Sequence, residues 1–176
     1  MFNRLKRSLG YSLIELMVTL ALAGILMGVA VPSFTAVIDS NRLTTDANDL
    51  VTALNLARSE AIKRNLRVTL CKSANGSSCN ANNNWSQGWI IFTDQNNDAT
   101  YDSNADTLLR VQANKANTIS MVGDTNVAND ISYIATGQSQ LSGTIKICDE
   151  RTGNVGINVL LNNLGRVATQ KNISCP

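Results

Sequence analysis

From Leu13 to Val31 the chain is apolar at almost every position, and Glu15 is the only charge in the run. At about 1.5 Å per residue this stretch makes roughly 28 Å of helix, enough to cross a bilayer core. Pro32 follows it and predicts a bend, because it removes one backbone hydrogen bond and crowds the preceding turn. Apolar residues then recur at three- and four-residue steps: Phe34, Val37, Ile38, Ala47, Leu50, Val51, Leu54, Ala57 and Ala61. That period predicts an amphipathic continuation of the helix, interrupted over the polar stretch 39–46 by a loosened or solvent-exposed turn. The helix should run to about Arg64, with Lys63 and Arg64 near the negative end of its dipole and Asn65 as its stop.

From Leu66 onward the period changes to two, with Val68 and Leu70 alternating with Arg67, Thr69 and Cys71. Further short runs at 88–93, 107–112, 118–122, 131–135, 144–148 and 155–161 read as strands, separated by clusters of Asn, Asp, Gly and Ser. The expected fold class is therefore α+β: a long N-terminal helix packed on a mainly antiparallel, β-rich head. The segments fall at 1–10, 11–32, 33–65 and 66–176: a leader, an apolar helix, its amphipathic continuation and the head.

Composition changes this picture in three places. Of 15 Lys and Arg, three (Arg4, Lys6 and Arg7) precede Gly10, and no acid accompanies them. A basic leader before an apolar span predicts a cytoplasmic N-terminus, with the bulk of the chain on the far side of the membrane. Without the leader the chain carries 12 basic against 13 acidic residues, a net of −1, so any affinity for nucleic acid must come from a local patch. Histidine is absent, which removes the commonest general base and the commonest zinc ligand. Four cysteines in an exported chain point to disulfides.

A signal peptide, a plain anchor and a retained assembly helix all fit the apolar run in outline. A signal peptide would end in a small-residue cleavage site and hold no acid. A plain anchor gives no reason for Gly10-Tyr11-Ser12-Leu13-Ile14-Glu15 at its head. Those residues resemble the head of type IV prepilins: a short basic leader ending in glycine, then a mature chain with Glu as its fifth residue. The resemblance implies that a prepilin peptidase cuts between Gly10 and Tyr11 and methylates the new amine. Tyr11 stands where the family usually has Phe. It further implies that Glu15 pairs with the terminal amine of a neighbouring pilin or pseudopilin, since a buried carboxylate is tolerable only when paired. The chain would lie in the inner membrane with a periplasmic head, then on the cell surface in a pilus.

Within that superfamily the chain resembles the GspH/FimT branch of minor pilins. The resemblance rests on 56–64, on Trp85, and on Gly88-Trp89-Ile90-Ile91-Phe92-Thr93-Asp94 with the Asn-rich acidic loop behind it. Trp85 and Trp89 read as packing residues at a helix–sheet junction. Asp94, Asn96, Asp98, Thr100 and Asp102 have the spacing of calcium-loop ligands, but Ala99 and Ala105 occupy the turn and bidentate positions. A solvated acidic loop is the better reading, and no metal or cofactor is expected. With no nucleophile–base or paired-carboxylate arrangement, the chain reads as a non-enzyme.

Cys71 and Cys79 flank a short loop they can close locally, and Cys148 with Cys175 would staple the tail to the sheet, as the C-terminal disulfide of many pilins does. The spacings allow the two other connectivities as well. Members of the branch that bind double-stranded DNA carry Gly-Arg-x-Arg in this tail loop. Gly165 and Arg166 match, Ala168 breaks the motif, and Arg151 and Lys171 are the other candidate phosphate contacts. A turn glycine followed by a solvated edge strand accounts for the same residues. The two roles expected are a tip-proximal minor pilin of the type IV pilus, with or without DNA binding, and the H-type minor pseudopilin of a type II secretion system.

Overall fold

The computed structural model describes residues 10–82, 84–113 and 118–176, and the side chains of 29–33 are outside that description. The basic leader and the local consequence of Pro32 accordingly lie outside the described residues. Among the described residues, helix α1 spans Leu13–Arg64 and is followed by eight strands. Its chain contacts divide into two units, one ending at Asp39 and one from Ser40 to Pro176.

In the first unit the helix begins with a side-chain cap. Ser12 Oγ accepts a hydrogen bond from the Glu15 amide at 3.3 Å, satisfying a donor that the first turn leaves without a carbonyl partner. The apolar side chains beyond it are solvent-facing: Leu13, Ile14, Leu26, Phe34, Val37 and Ile38 are all exposed. Phe34, Val37 and Ile38 were expected on the core stripe and are not in it. Among the described residues, no helix is long and apolar enough to cross a membrane.

The second unit is the head. Strands β1 (Val68–Lys72), β2 (Trp89–Thr93), β3 (Leu108–Gln112) and β5 (Asp130–Tyr133) form one sheet in the order β3-β2-β1-β5. Strands β4 (Ser120–Gly123), β6 (Gly143–Cys148), β7 (Gly153–Leu161) and β8 (Val167–Cys175) form the other, in the order β4-β6-β7-β8. Every pairing is antiparallel. Leu43, Leu50, Leu54 and Ala57 of the helix share one core with Leu70, Ile91, Ile131, Ile145 and Ile157 from both sheets. The helix thus supplies the common apolar wall against which each sheet turns one face.

One local expectation changes here, and two strands show burial patterns of their own. The stretch 39–46 is regular helix, and it contributes buried Leu43 and a buried Asp46 to the head. Its polar residues do not loosen it because the threonines return hydrogen bonds to the preceding turn, Thr44 to the Ser40 carbonyl and Thr45 to that of Asn41. Strand β2 is buried on both faces. Ile90 and Phe92 face away from the helix into a second cluster with Cys71, Cys79 and Tyr101, and the Phe92 and Tyr101 rings meet edge to face at 5.3 Å. Strand β8 pairs along its length with β7 although its sequence does not alternate, because an edge strand exposed on most of its length needs no apolar face.

Both tryptophans are buried, and Trp85 donates its indole N–H to the Val127 carbonyl at 3.0 Å. Cys71 is bonded to Cys79, and Cys148 to Cys175. The second bridge closes the β6–β8 region across a sequence separation of 27, worth about 3–4 kcal/mol in the chain-entropy description.

Candidate functional site

The processing, assembly and DNA candidates read from the sequence lie in two regions: the head of α1 and the tail from Cys148 to Cys175. At the head, Gly10 and Tyr11 lie in non-helical backbone immediately before the capped first turn, and both are exposed. Glu15 sits in the first turn, where the positive end of the helix dipole favours a carboxylate. It is exposed among exposed apolar side chains. Sequence reasoning passed over Ser12, although Ser-x-x-Glu is the spacing of a capping box and was legible.

In the tail, the structure separates the candidate cations. Arg166 immediately precedes β8, whose last residue, Cys175, pairs with Gly153. At about 3.3 Å per residue, β8 puts roughly 30 Å between Arg166 and the Arg151 end of the sheet. Arg151 is also engaged: its guanidinium meets Asp149 at 2.7 Å and donates to Ser40 Oγ on the helix at 3.1 Å. Lys171 stands opposite buried Ile157 and lines a groove with Ser40 and Thr44. Arg151 and Arg166 therefore lie at opposite ends of β8, with Lys171 along the strand between them.

The Arg151 contact sets a pH dependence. Burial on its own pushes the Asp149 carboxyl up, but hydrogen bonds and charge from Arg151 outweigh it and hold the group below its ordinary value. A carboxyl with a lower pKa in the folded state stabilises above the unfolded value, about 3.9, and loses that contribution as pH falls through the folded one. Urea unfolding of wild type and Asp149→Asn should show a stability gap near pH 6 that closes toward pH 3.

Gly165 has a structural role that its place beside Arg166 does not reveal. It adopts φ +74°, and a Cβ at this position would lie 2.1 Å from the Gly137 carbonyl oxygen. Arg58, on the helix, donates from Nε to that same carbonyl at 2.9 Å and from Nη2 to the Leu164 carbonyl at 3.1 Å. One guanidinium thus joins the turn after β5 to the β7–β8 turn. Arg58 falls in the stretch 56–64, on the amphipathic part of the helix. Nothing local marks it as a clamp, since its acceptors lie 79 and 106 residues away.

The acidic loop is a scaffold in its own right. Asp94 is buried and pairs with Arg67 at 3.0 Å. Its oxygens also accept from the Thr69 hydroxyl and from the amides of Asp98 and Ala99. Asp106, also buried, accepts from the amides of Gln95 and Asp102. The solvated loop expected from sequence is therefore anchored at both ends by buried carboxylates, with Asn96, Asp98 and Asp102 outside. Among the described residues, no group of His, Cys, Asp or Glu is placed to hold a metal ion.

The family model of the type II transport protein GspH matches residues 46–165, which include most of the helix–sheet core and both turns held by Arg58. The chain belongs to the GspH family. The prokaryotic N-terminal methylation motif matches residues 5–31, a span that contains Gly10, Tyr11 and Glu15. The pilin-like protein PilA1 of Thermus thermophilus is 36% identical over 95 residues, and this GspH-family chain covers 53% of that protein's length and 53% of its own. In fold, the chain is similar to the type IV minor pilin FimU of Pseudomonas aeruginosa, with a TM-score of 0.59 at 20% identity over 76% of this chain and 92% of that one. It is also similar to the minor pseudopilin EpsH of the Vibrio cholerae type 2 secretion system, with a TM-score of 0.51 at 10% identity over 74% of this chain and 97% of that one. The long N-terminal helix with an antiparallel β head is thus the pilin fold.

Proposed function

We propose that this GspH-family chain is a non-catalytic minor pilin of the type IV pilus, inserted in the inner membrane through residues 11–32 and then assembled near the filament tip. One observation carries the reading: the methylation motif runs directly into a helix whose large apolar side chains, from Leu13 to Met27 and again at Phe34, Val37 and Ile38, are left facing solvent. Such a surface needs lipid before assembly and other helices after it. A prepilin peptidase cuts between Gly10 and Tyr11, and Glu15, out of place on an apolar surface, pairs with the terminal amine of a neighbouring subunit. The separation of Arg151 from Arg166 argues against a shared DNA grip, so double-stranded DNA is not part of this reading.

Processing and assembly are separable by experiment. In the native host, the mature protein should begin at Tyr11 by mass spectrometry, and Gly10→Leu should leave a full-length precursor. Glu15→Val should be cut normally but fall at least tenfold in sheared filaments. A mature N-terminus elsewhere would remove the prepilin reading, whereas normal incorporation of Glu15→Val would remove only the docking role of that carboxylate.

The family description and the likeness to EpsH favour a second reading, a minor pseudopilin of a type II secretion system. Deleting the gene would then abolish export of a secreted enzyme and leave surface pili intact.

A further inference from the structure

Strand β1 ends with a lysine where its alternation calls for an apolar residue. Val68 and Leu70 point into the core shared with the helix, and Lys72 is next on that face. Lys72 is 94% buried (6% exposed), and its Nζ donates to the Ala81 carbonyl at 2.7 Å. Among the described residues it has no carboxylate partner, so one neutral acceptor serves a group with three donors and a full charge. Burial pushes its pKa down, with no acidic neighbour to oppose the change.

The residue nonetheless borders open space. Lys72 lines a cleft of about 360 Å³ with Ala81, Asn82, Trp85, Met121 and Asn129, a size within the range of small-molecule sites. Trp85 is fixed by its bond to Val127, and the lining mixes apolar Trp85 and Met121 with the polar Lys72, Asn82 and Asn129. On the rim, Asn82 and Asn129 are exposed, and their side-chain amides have no hydrogen-bond partner among the described residues. A buried cation lacking a counter-charge is costly, and a ligand supplying that charge recovers the cost.

We propose that this cleft binds a small hydroxylated carboxylate of the sugar-acid class, its carboxylate on Lys72 Nζ and its hydroxyls on the amides of Asn82 and Asn129. A carboxylate fits the single compact ammonium, which lacks the second cation or row of amides that a phosphate dianion would use. The amide rim answers hydroxyl groups, which both donate and accept. None of the residues lining the cleft belongs to the helix.

The test titrates the full-length, 15N-labelled chain in detergent with glucuronate, acetate, phosphate and chloride, following the backbone amides of Asn82, Gly123 and Asn129. Glucuronate should give saturable shifts at these amides, and chloride none at equal ionic strength. Lys72→Met keeps the aliphatic stem and should weaken glucuronate at least tenfold, about the worth of one charge-assisted hydrogen bond. Asn129→Ala, an exposed change, should weaken glucuronate severalfold and leave acetate unaltered. The second variant keeps the test valid if Lys72→Met fails to fold. Absence of saturation by glucuronate, equal binding of glucuronate by Lys72→Met, or tighter binding of phosphate would overturn the proposal. Equal affinity for acetate and glucuronate would overturn the sugar-acid assignment.

Discussion

Asp94→Ala should cost the head about 3–5 kcal/mol, the usual penalty for leaving one partner of a buried ion pair alone. Asp94 gathers four donors: the Arg67 guanidinium, the Thr69 hydroxyl and two loop amides. Its removal strands Arg67, whose side chain is only 9% exposed, and frees the loop that carries Tyr101 over Phe92. Urea unfolding of the full chain should show a lower midpoint. Adding Arg67→Met to Asp94→Ala should restore part of the loss, because the unpaired buried charge is gone. Asp98→Ala, on the exposed side of the loop, should stay within about 1 kcal/mol. A full-sized loss at Asp98 and none at Asp94 would mean that the loop is held from outside.

Gly165→Ala should destabilise by about 2–4 kcal/mol through two additive terms. A non-glycine residue at φ +74° costs about 1 kcal/mol or more. The added Cβ would also press on the Gly137 carbonyl at 2.1 Å, moving the oxygen that Arg58 holds. Gly153→Ala separates the terms, since Gly153 has φ +92° with nothing within 4 Å of its Cβ position. It should show the backbone cost alone. If the two variants lose the same stability, the contact between the two turns is not what constrains Gly165. Arg58→Lys should behave like a partial loss, because an ammonium cannot reproduce the fork that spans both carbonyls.

Much of this chain is legible from local pattern. The helix ends at Arg64, where Asn65 takes a left-handed conformation, and the clustered polar residues fall in the turns between strands. These features depend on neighbours in sequence, so propensity and period suffice to find them. Strand β8 was legible only as the solvated edge strand after the Gly165 turn, because its pairing partner, not an alternation of its own side chains, makes it a strand. The double burial of β2 is hidden for a related reason: its outer face is covered by loops from elsewhere, including Cys79 and Tyr101. A polar run at 39–46 argued for a loosened turn and lost to burial of Leu43 in the shared core.

Sequence alone determined the class of the molecule: an apolar helix with a processing motif at its head, an antiparallel β head, and exported-type cysteines. Those follow from runs, periods and short spacings, which are one-dimensional. Tertiary structure decided the roles of individual charges. Arg151 and Arg166 look like members of one cationic set in sequence, yet the length of β8 separates them. Arg58 and Arg67 look like surface charges, yet each is committed to partners far along the chain. Lys72 reads as the end of a strand, yet it is a buried lysine that lines a cleft and gives its ammonium to a backbone carbonyl. The physical reason is common to all of them: a charge takes its meaning from the acceptors and the burial around it, and folding brings both from distant sequence.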